Sequence, residues 1–114
     1  MQEILMSSMN MQKAFDLEAM AENAAQAEAV LKALANRQRL MILCHLTQGK
    51  MTVSELNERV ALSQSALSQH LARLRQDGLV MTERKAQCIY YSLVPGLPAR
   101  VIELLHDHYC ATGK

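Results

Sequence analysis

Residues 52–78 read TVSELNERVALSQSALSQHLARLRQDG, and the fold follows from how this stretch divides. In Thr52-Val53-Ser54-Glu55 a hydroxyl precedes a glutamate by three, the capping-box form that satisfies orphan amides at a helix start. The short helix so opened turns Leu56 and Val60 inward, and Ala61-Leu62 makes a turn. Ser63 caps a second helix that runs to Gln76 and ends at Asp77-Gly78. Two short capped helices joined by a tight turn form a helix-turn-helix, whose second helix normally lies in a major groove. At about 100° per residue, Leu67, Leu71 and Leu74 fall on one side of that helix. Ser65, Ser68, Gln69, Ala72 and Gln76 fall opposite, with Gln64 in the first turn and Arg73 on the flank. A merely solvated face usually carries more Lys and Glu. Short, uncharged polar side chains suit base edges: Gln bonds adenine through two atoms, Ser donates or accepts, and a small residue admits close approach. His70, at the edge of the leucine face, is expected to be packed and hydrogen-bonded.

Beyond Gly78 the apolar period changes from 3.6 to 2. Leu79–Arg84 and Gln87–Leu93 read as two strands around a short basic turn, Lys85-Ala86. The hairpin tip, with Arg84, Lys85 and Gln87, suits a wing that touches phosphate or the minor groove. Ile89, Tyr91 and Leu93 are expected on one face, and Cys88, Tyr90 and Ser92 on the other. Pro95, Gly96 and Pro98 break the strand. A last helix is expected from about Leu97 to Ala111, and its apolar residues nearly encircle it, enough for a core contact and a subunit contact.

On the N-terminal side, Asn36 is a good N-cap for a helix from Arg37 to about Thr47, closed by Gly49. Before it, Leu17, Met20, Ala24, Ala27, Leu31 and Leu34 are spaced 3-4-3-4-3. That stripe fits either a coiled-coil-like seam or a bundle face within one monomer. Residues 1–11 lack a clear period and are expected to be a mobile tail, leaving residues 12–114 as one domain. The fold class is therefore mainly α with a β-hairpin wing, an α+β winged helix-turn-helix.

Composition narrows the function. The chain has 114 residues and a net charge of +1, with the charge unevenly placed. Residues 1–30 carry five acids against one base, and the remainder carries eleven bases against six acids. Positive charge thus lies toward the part assigned to DNA. No apolar run approaches the roughly 18 residues that span a bilayer, and no basic-then-apolar leader opens the chain, so a cytoplasmic location is expected. Cys44, Cys88 and Cys110 make an odd number, which argues against a disulfide framework. They are buried residues, metal ligands or redox-active thiols. There is no Cys-x-x-Cys, phosphate loop or carboxylate constellation, so an enzyme is not expected, and no cofactor is implied.

The segment Leu62–Leu71, LSQSALSQHL, together with Ala33–Leu40, ALANRQRL, resembles the ArsR/SmtB family of dimeric repressors. Cys44 in Ile42-Leu43-Cys44 and Cys110 at the end of LLHDHYC are similar to the branch of BigR, SqrR, YgaV and HlyU. The resemblance implies a homodimer built from the first and last helices, bound to an inverted-repeat DNA operator. It also implies that Cys44 and Cys110 sense persulfides or oxidants, joining through a disulfide or polysulfide bridge as DNA is released. Some members of the branch act instead as anti-silencing activators. The arsenic-type Cys-x-Cys is absent from the second helix. The start of the last helix, Pro95 to Pro98, cannot supply the zinc-type ligands. Cys88 has no place in the branch's pair.

Taken by itself, a Cys among leucines is most often a small buried hydrophobe. His106, one turn before Cys110, is placed to lower that thiol's pKa if protonated. The competing reading is a metal site in which Cys44, His106 and Cys110 supply three ligands, with His108 or water the fourth.

Overall fold

The computed structural model describes the backbone from Gln2 to Cys110 and the side chains from Asp16 onward. The chain divides into two compact units, residues 1–32 and 33–114. The first is most of one helix, α1 (Gln2–Leu34), which has no Gly or Pro to interrupt it. Residues 2–11, within the segment expected to be a mobile tail, are helical in backbone. Met, Gln, Glu and Leu are good helix formers even where no apolar stripe guides the reading. Along the expected stripe, Leu17 and Leu31 are 70% and 61% exposed.

The second unit is the winged body. Its order is α2 (Arg37–Leu46), β1 (Met51–Thr52), α3 (Val53–Arg59), α4 (Gln64–Gln76), β2 (Val80–Lys85), β3 (Cys88–Leu93) and α5 (Leu97–Cys110). The helix starts are where their caps place them. Asn36 Oδ1 accepts from the Arg39 amide at 3.0 Å. Thr52 and Glu55 complete the reciprocal capping box, and Ser63 Oγ accepts from the Ala66 amide at 3.1 Å. Each such cap contributes about 1 kcal/mol. The Arg39 guanidinium also donates to the Ala33 carbonyl at 2.7 Å, satisfying an orphan acceptor at the end of α1.

The core is almost wholly aliphatic. Ile42, Leu43, Leu56, Leu67, Leu71, Leu74 and Ile102 are fully buried, drawn from α2, α3, α4 and α5, and no charged or polar residue joins them among the described residues. The α4 leucines are the face the wheel selects, and they seat the helix on its neighbours with the opposite side outward.

The sheet differs from the expected hairpin in two ways. It has three strands, ordered β1-β3-β2, because Met51 and Thr52 pair with Tyr91 and Tyr90. The tight turn is Ala86-Gln87, one residue later than expected, since Lys85 pairs with Cys88. Ala86 adopts a left-handed φ of 56°, a conformation that disfavours a residue with a Cβ by about 1–2 kcal/mol. Cys88 and Ile89, at the outer end of β3, are both exposed. In α5, Ala99 and Ile102 are buried, whereas Leu104 and Tyr109 are 69% and 76% exposed. No helix among the described residues is long and apolar enough to cross a membrane.

Candidate nucleic-acid interface and thiol pair

The outer face of α4 is made by subtraction: three leucines fill the core, and what remains points out. Gln64, Ser65, Ser68, Gln69, Ala72, Arg73 and Gln76 are all exposed. The turn that aims this face is clipped by Asn57, whose Nδ2 donates to the Leu62 carbonyl at 2.8 Å. Asn57 was not singled out in the sequence, because an Asn inside a helix signals nothing until its partner five residues away is known. Ser65 Oγ lies 3.3 Å from Ser63 Oγ, and Arg73 Nε lies 3.3 Å from the Asp77 carboxylate. Arg73 is thus held at the C-terminal end of the face by an exposed i,i+4 pair, the weak kind that a stronger anion displaces. His70 is half-buried.

Arg84 and Lys85 end β2, and Gln87 lies in the turn, so the expected wing residues sit exposed together at one tip. β2 also packs on α4, which joins the hairpin and that helix in one body. Sequence reasoning missed Lys50. Its Nζ lies 3.3 Å from Glu83 Oε1 and 5.2 Å from the Tyr90 ring centroid.

The thiols divide by environment. Cys44 is half-buried on α2, Cys88 is exposed on the wing, and Cys110 is exposed at the end of α5; all three are free. Burial pushes the Cys44 thiol up from its ordinary value, and the charge of Cys110 pushes it the same way. Cys44 is therefore held protonated, within electrostatic range of Cys110, across the packed pair α2 and α5. The ring of His106 faces Gln48, with Nε2 to Nε2 at 3.4 Å, a bond only when the histidine nitrogen is the unprotonated acceptor. Its Nδ1 lies 3.8 Å from Asp107. The metal alternative is not assembled: no group of three His, Cys, Asp or Glu side chains among the described residues is arranged to hold an ion.

His45, beside Cys44, carries the buried side-chain atom without a hydrogen bond among the described residues, its Nε2. Burial, and secondarily the Arg59 cation, lowers its pKa below the ordinary value near 6.5. The folded chain therefore refuses a proton that the unfolded chain accepts. Stability is fully present above about pH 6.5 and is lost as pH falls through that value toward the lower folded pKa. Thermal melting is expected at a lower temperature near pH 5.5 than near pH 7.5, and His45→Leu is expected to reduce that difference. An unchanged difference in the variant would rule His45 out as its source.

Comparison with known proteins gives three kinds of match. The model for bacterial regulatory proteins of the arsR family matches residues 30–82. The transcriptional activator HlyU of Vibrio cholerae is 52% identical over 99 residues, 87% of this chain and 92% of that protein. Its solved reduced form has a TM-score of 0.75 over 82% of this chain and 98% of that one. The transcriptional repressor BigR of Xylella fastidiosa has a TM-score of 0.78 at 35% identity, over 85% of this chain and 96% of that chain. A homodimeric winged helix-turn-helix DNA-binding domain from Mycobacterium bovis has a TM-score of 0.65 at 30% identity, over 79% and 90% respectively.

Proposed function

Because this chain belongs to the ArsR family of bacterial regulatory proteins, we propose that it is a cytoplasmic, homodimeric transcription regulator that drops its operator when Cys44 and Cys110 become bridged. It is a DNA-binding regulator of the winged helix-turn-helix type, not built for turnover. The observation that carries the reading is the pairing of a half-buried thiol on α2 with an exposed one on α5, in the same body as an uncharged reading face.

The dimer is supported by the apolar side chains left in water on α1 and α5: Leu17, Leu31, Leu104 and Tyr109. Faces this apolar gain by meeting a second copy, and the Mycobacterium bovis domain is a homodimer. Residues 12–114 serve as the DNA-binding and dimerisation domain. Two copies of α4 then enter successive major grooves about 34–36 Å apart on an inverted repeat. Gln64, Ser65, Ser68 and Gln69 read bases, while Arg73, Arg84, Lys85 and Gln87 meet the backbone.

The inducing chemistry balances with an organic persulfide as oxidant. The exposed Cys110 thiolate attacks the terminal sulfur of RSSH, forming Cys110-S-SH and releasing RSH after protonation. The Cys44 thiol, deprotonated as it attacks, then forms the disulfide and expels hydrogen sulfide. A second equivalent of RSSH first lengthens Cys110-S-SH to Cys110-S-S-SH, releasing RSH; attack of Cys44 on the middle sulfur then expels hydrogen sulfide and leaves a trisulfide instead. Either link ties α2 to α5. Since α5 helps form the dimer, the tie alters the spacing of the two reading helices. The same release ends repression at one promoter and activation at another; the relative HlyU is an activator and BigR a repressor.

The test is a gel-shift titration on duplex DNA from the chain's own upstream region, with and without persulfide, followed by intact-mass measurement. Release accompanied by loss of hydrogen, or by a gain of whole sulfur atoms, supports the reading. Release with zinc alone overturns it. Within the reading face, Gln69→Ala is expected to weaken operator binding by about 5–150-fold per half-site, the equivalent of about 1–3 kcal/mol for one base contact. Binding to random DNA should change little, and equal losses on both would remove Gln69 from the base-reading set.

A further inference from the structure

Lys50 stands immediately before β1 and outside the residues assigned to DNA above. Its side chain crosses the sheet: the ammonium passes over Tyr90 on the central strand and ends 3.3 Å from Glu83 on β2. Tyr90 pairs with Thr52 on one side and Glu83 on the other, so one cation links all three strands. Glu83 is the single acid in residues 80–93, where it stands directly before Arg84 and Lys85. Strand alternation puts Glu83 and Lys85 on one face of β2, about 7 Å apart along the strand. That is within mutual reach of a glutamate and a lysine side chain. An acid in this place does two kinds of harm to a wing that meets phosphate. It repels the duplex directly, and it draws Lys85 back from the backbone.

We propose that Lys50 is a positioning residue for DNA binding: by occupying the Glu83 carboxylate it neutralises the acid and leaves Lys85 to engage phosphate. The Glu83 carboxylate, and after it a side-chain contact with Lys85, holds the Lys50 ammonium's pKa up, which places Lys85 beside the same acid. The pair is half-exposed and contributes little to folding; its effect is on the charge the wing presents. The inference rests on the reading of the wing as a phosphate contact.

Five variants test it on the same upstream duplex, each checked by thermal melting so that a folding loss is seen separately. Lys50→Gln is expected to weaken binding about tenfold near physiological salt, and to reduce the salt slope by about two per dimer, one recaptured Lys85 per wing. Lys50→Arg should bind like the parent. Glu83→Gln should bind as well as the parent or better, and adding Lys50→Gln to it should cost less than about threefold. Lys85→Gln should reproduce the slope loss. An equal cost of Lys50→Gln in both backgrounds would make Lys50 a direct phosphate contact and overturn the proposal. Weaker binding by Glu83→Gln would reduce the pair to a mechanical brace, which also overturns it. If Lys50→Gln binds like the parent while Lys85→Gln does not, the proposal fails and the wing reading survives. If Lys85→Gln is also without effect, the wing reading fails and takes the proposal with it.

Discussion

Leu71→Ala is expected to lower the stability of the winged body by about 2–5 kcal/mol. Leu71 is fully buried on the inner face of α4, between Leu67 and Leu74. Removing its isobutyl group loses the transfer free energy of the buried methyl and methylene groups and leaves a cavity whose walls are other aliphatic side chains. A domain of this size is stable by only about 4–12 kcal/mol, so one substitution removes a large share. At about 4–8 °C per kcal/mol for a domain of 60–100 residues, the melting temperature should fall by about 8 °C or more. Operator binding should fall with it, because the reading face keeps its aim only while its back is seated. Leu71→Met, which keeps the volume, should cost under about 1.5 kcal/mol. Circular-dichroism melting checks both. A loss below about 1 kcal/mol for Leu71→Ala would mean that α4 is not held by its leucines.

Cys44→Ser and Cys110→Ser are each expected to keep operator affinity in the reduced state and to lose release by persulfide. In the parent protein the bridge should lower affinity by about 5–150-fold, the span of a coupling of about 1–3 kcal/mol. Neither variant can form the link, so the shift should vanish in both and in the double variant alike. The two should differ in one respect. Cys110→Ser leaves, of the pair, the half-buried Cys44 thiol, held protonated by its surroundings, and that thiol should gain sulfur slowly. Cys44→Ser keeps the exposed thiol and should accumulate a persulfide without resolution. Cys88→Ser should respond like the parent protein. Normal release by either single variant at the α2–α5 pair would sink the proposed chemistry.

Much of the fold was legible because its signals are local. Asn36, Thr52-Glu55 and Ser63 start helices through bonds spanning three residues, and each proved to be a cap. The 3-4 spacing of Leu67, Leu71 and Leu74 separated buried from exposed faces for the same reason. Misplaced features were those that depend on distant partners. β1 is two residues long and exists because Tyr90 and Tyr91 offer it a ladder; nothing within Met51-Thr52 announces a strand. The hairpin turn lay one residue later than read because the cross-strand register, not composition, places it, even at the cost of a left-handed alanine. Residues 2–11 are helical without a stripe, through propensity and the lack of any breaker.

The site follows the same division. The uncharged character of the outer face of α4 is readable from spacing and residue type, whereas Cys44 and Cys110 are set apart from Cys88 by the family resemblance. That Cys44 is shielded while Cys110 is open, that Asn57 clips the turn, and that Lys50 meets Glu83 are decisions of the tertiary structure. Caps and helical faces are settled by interactions a few residues apart, which any sequence displays. Burial, charge pairing and strand register arise between segments brought together only by collapse of the core, and these set which thiol is shielded and which acid Lys50 meets.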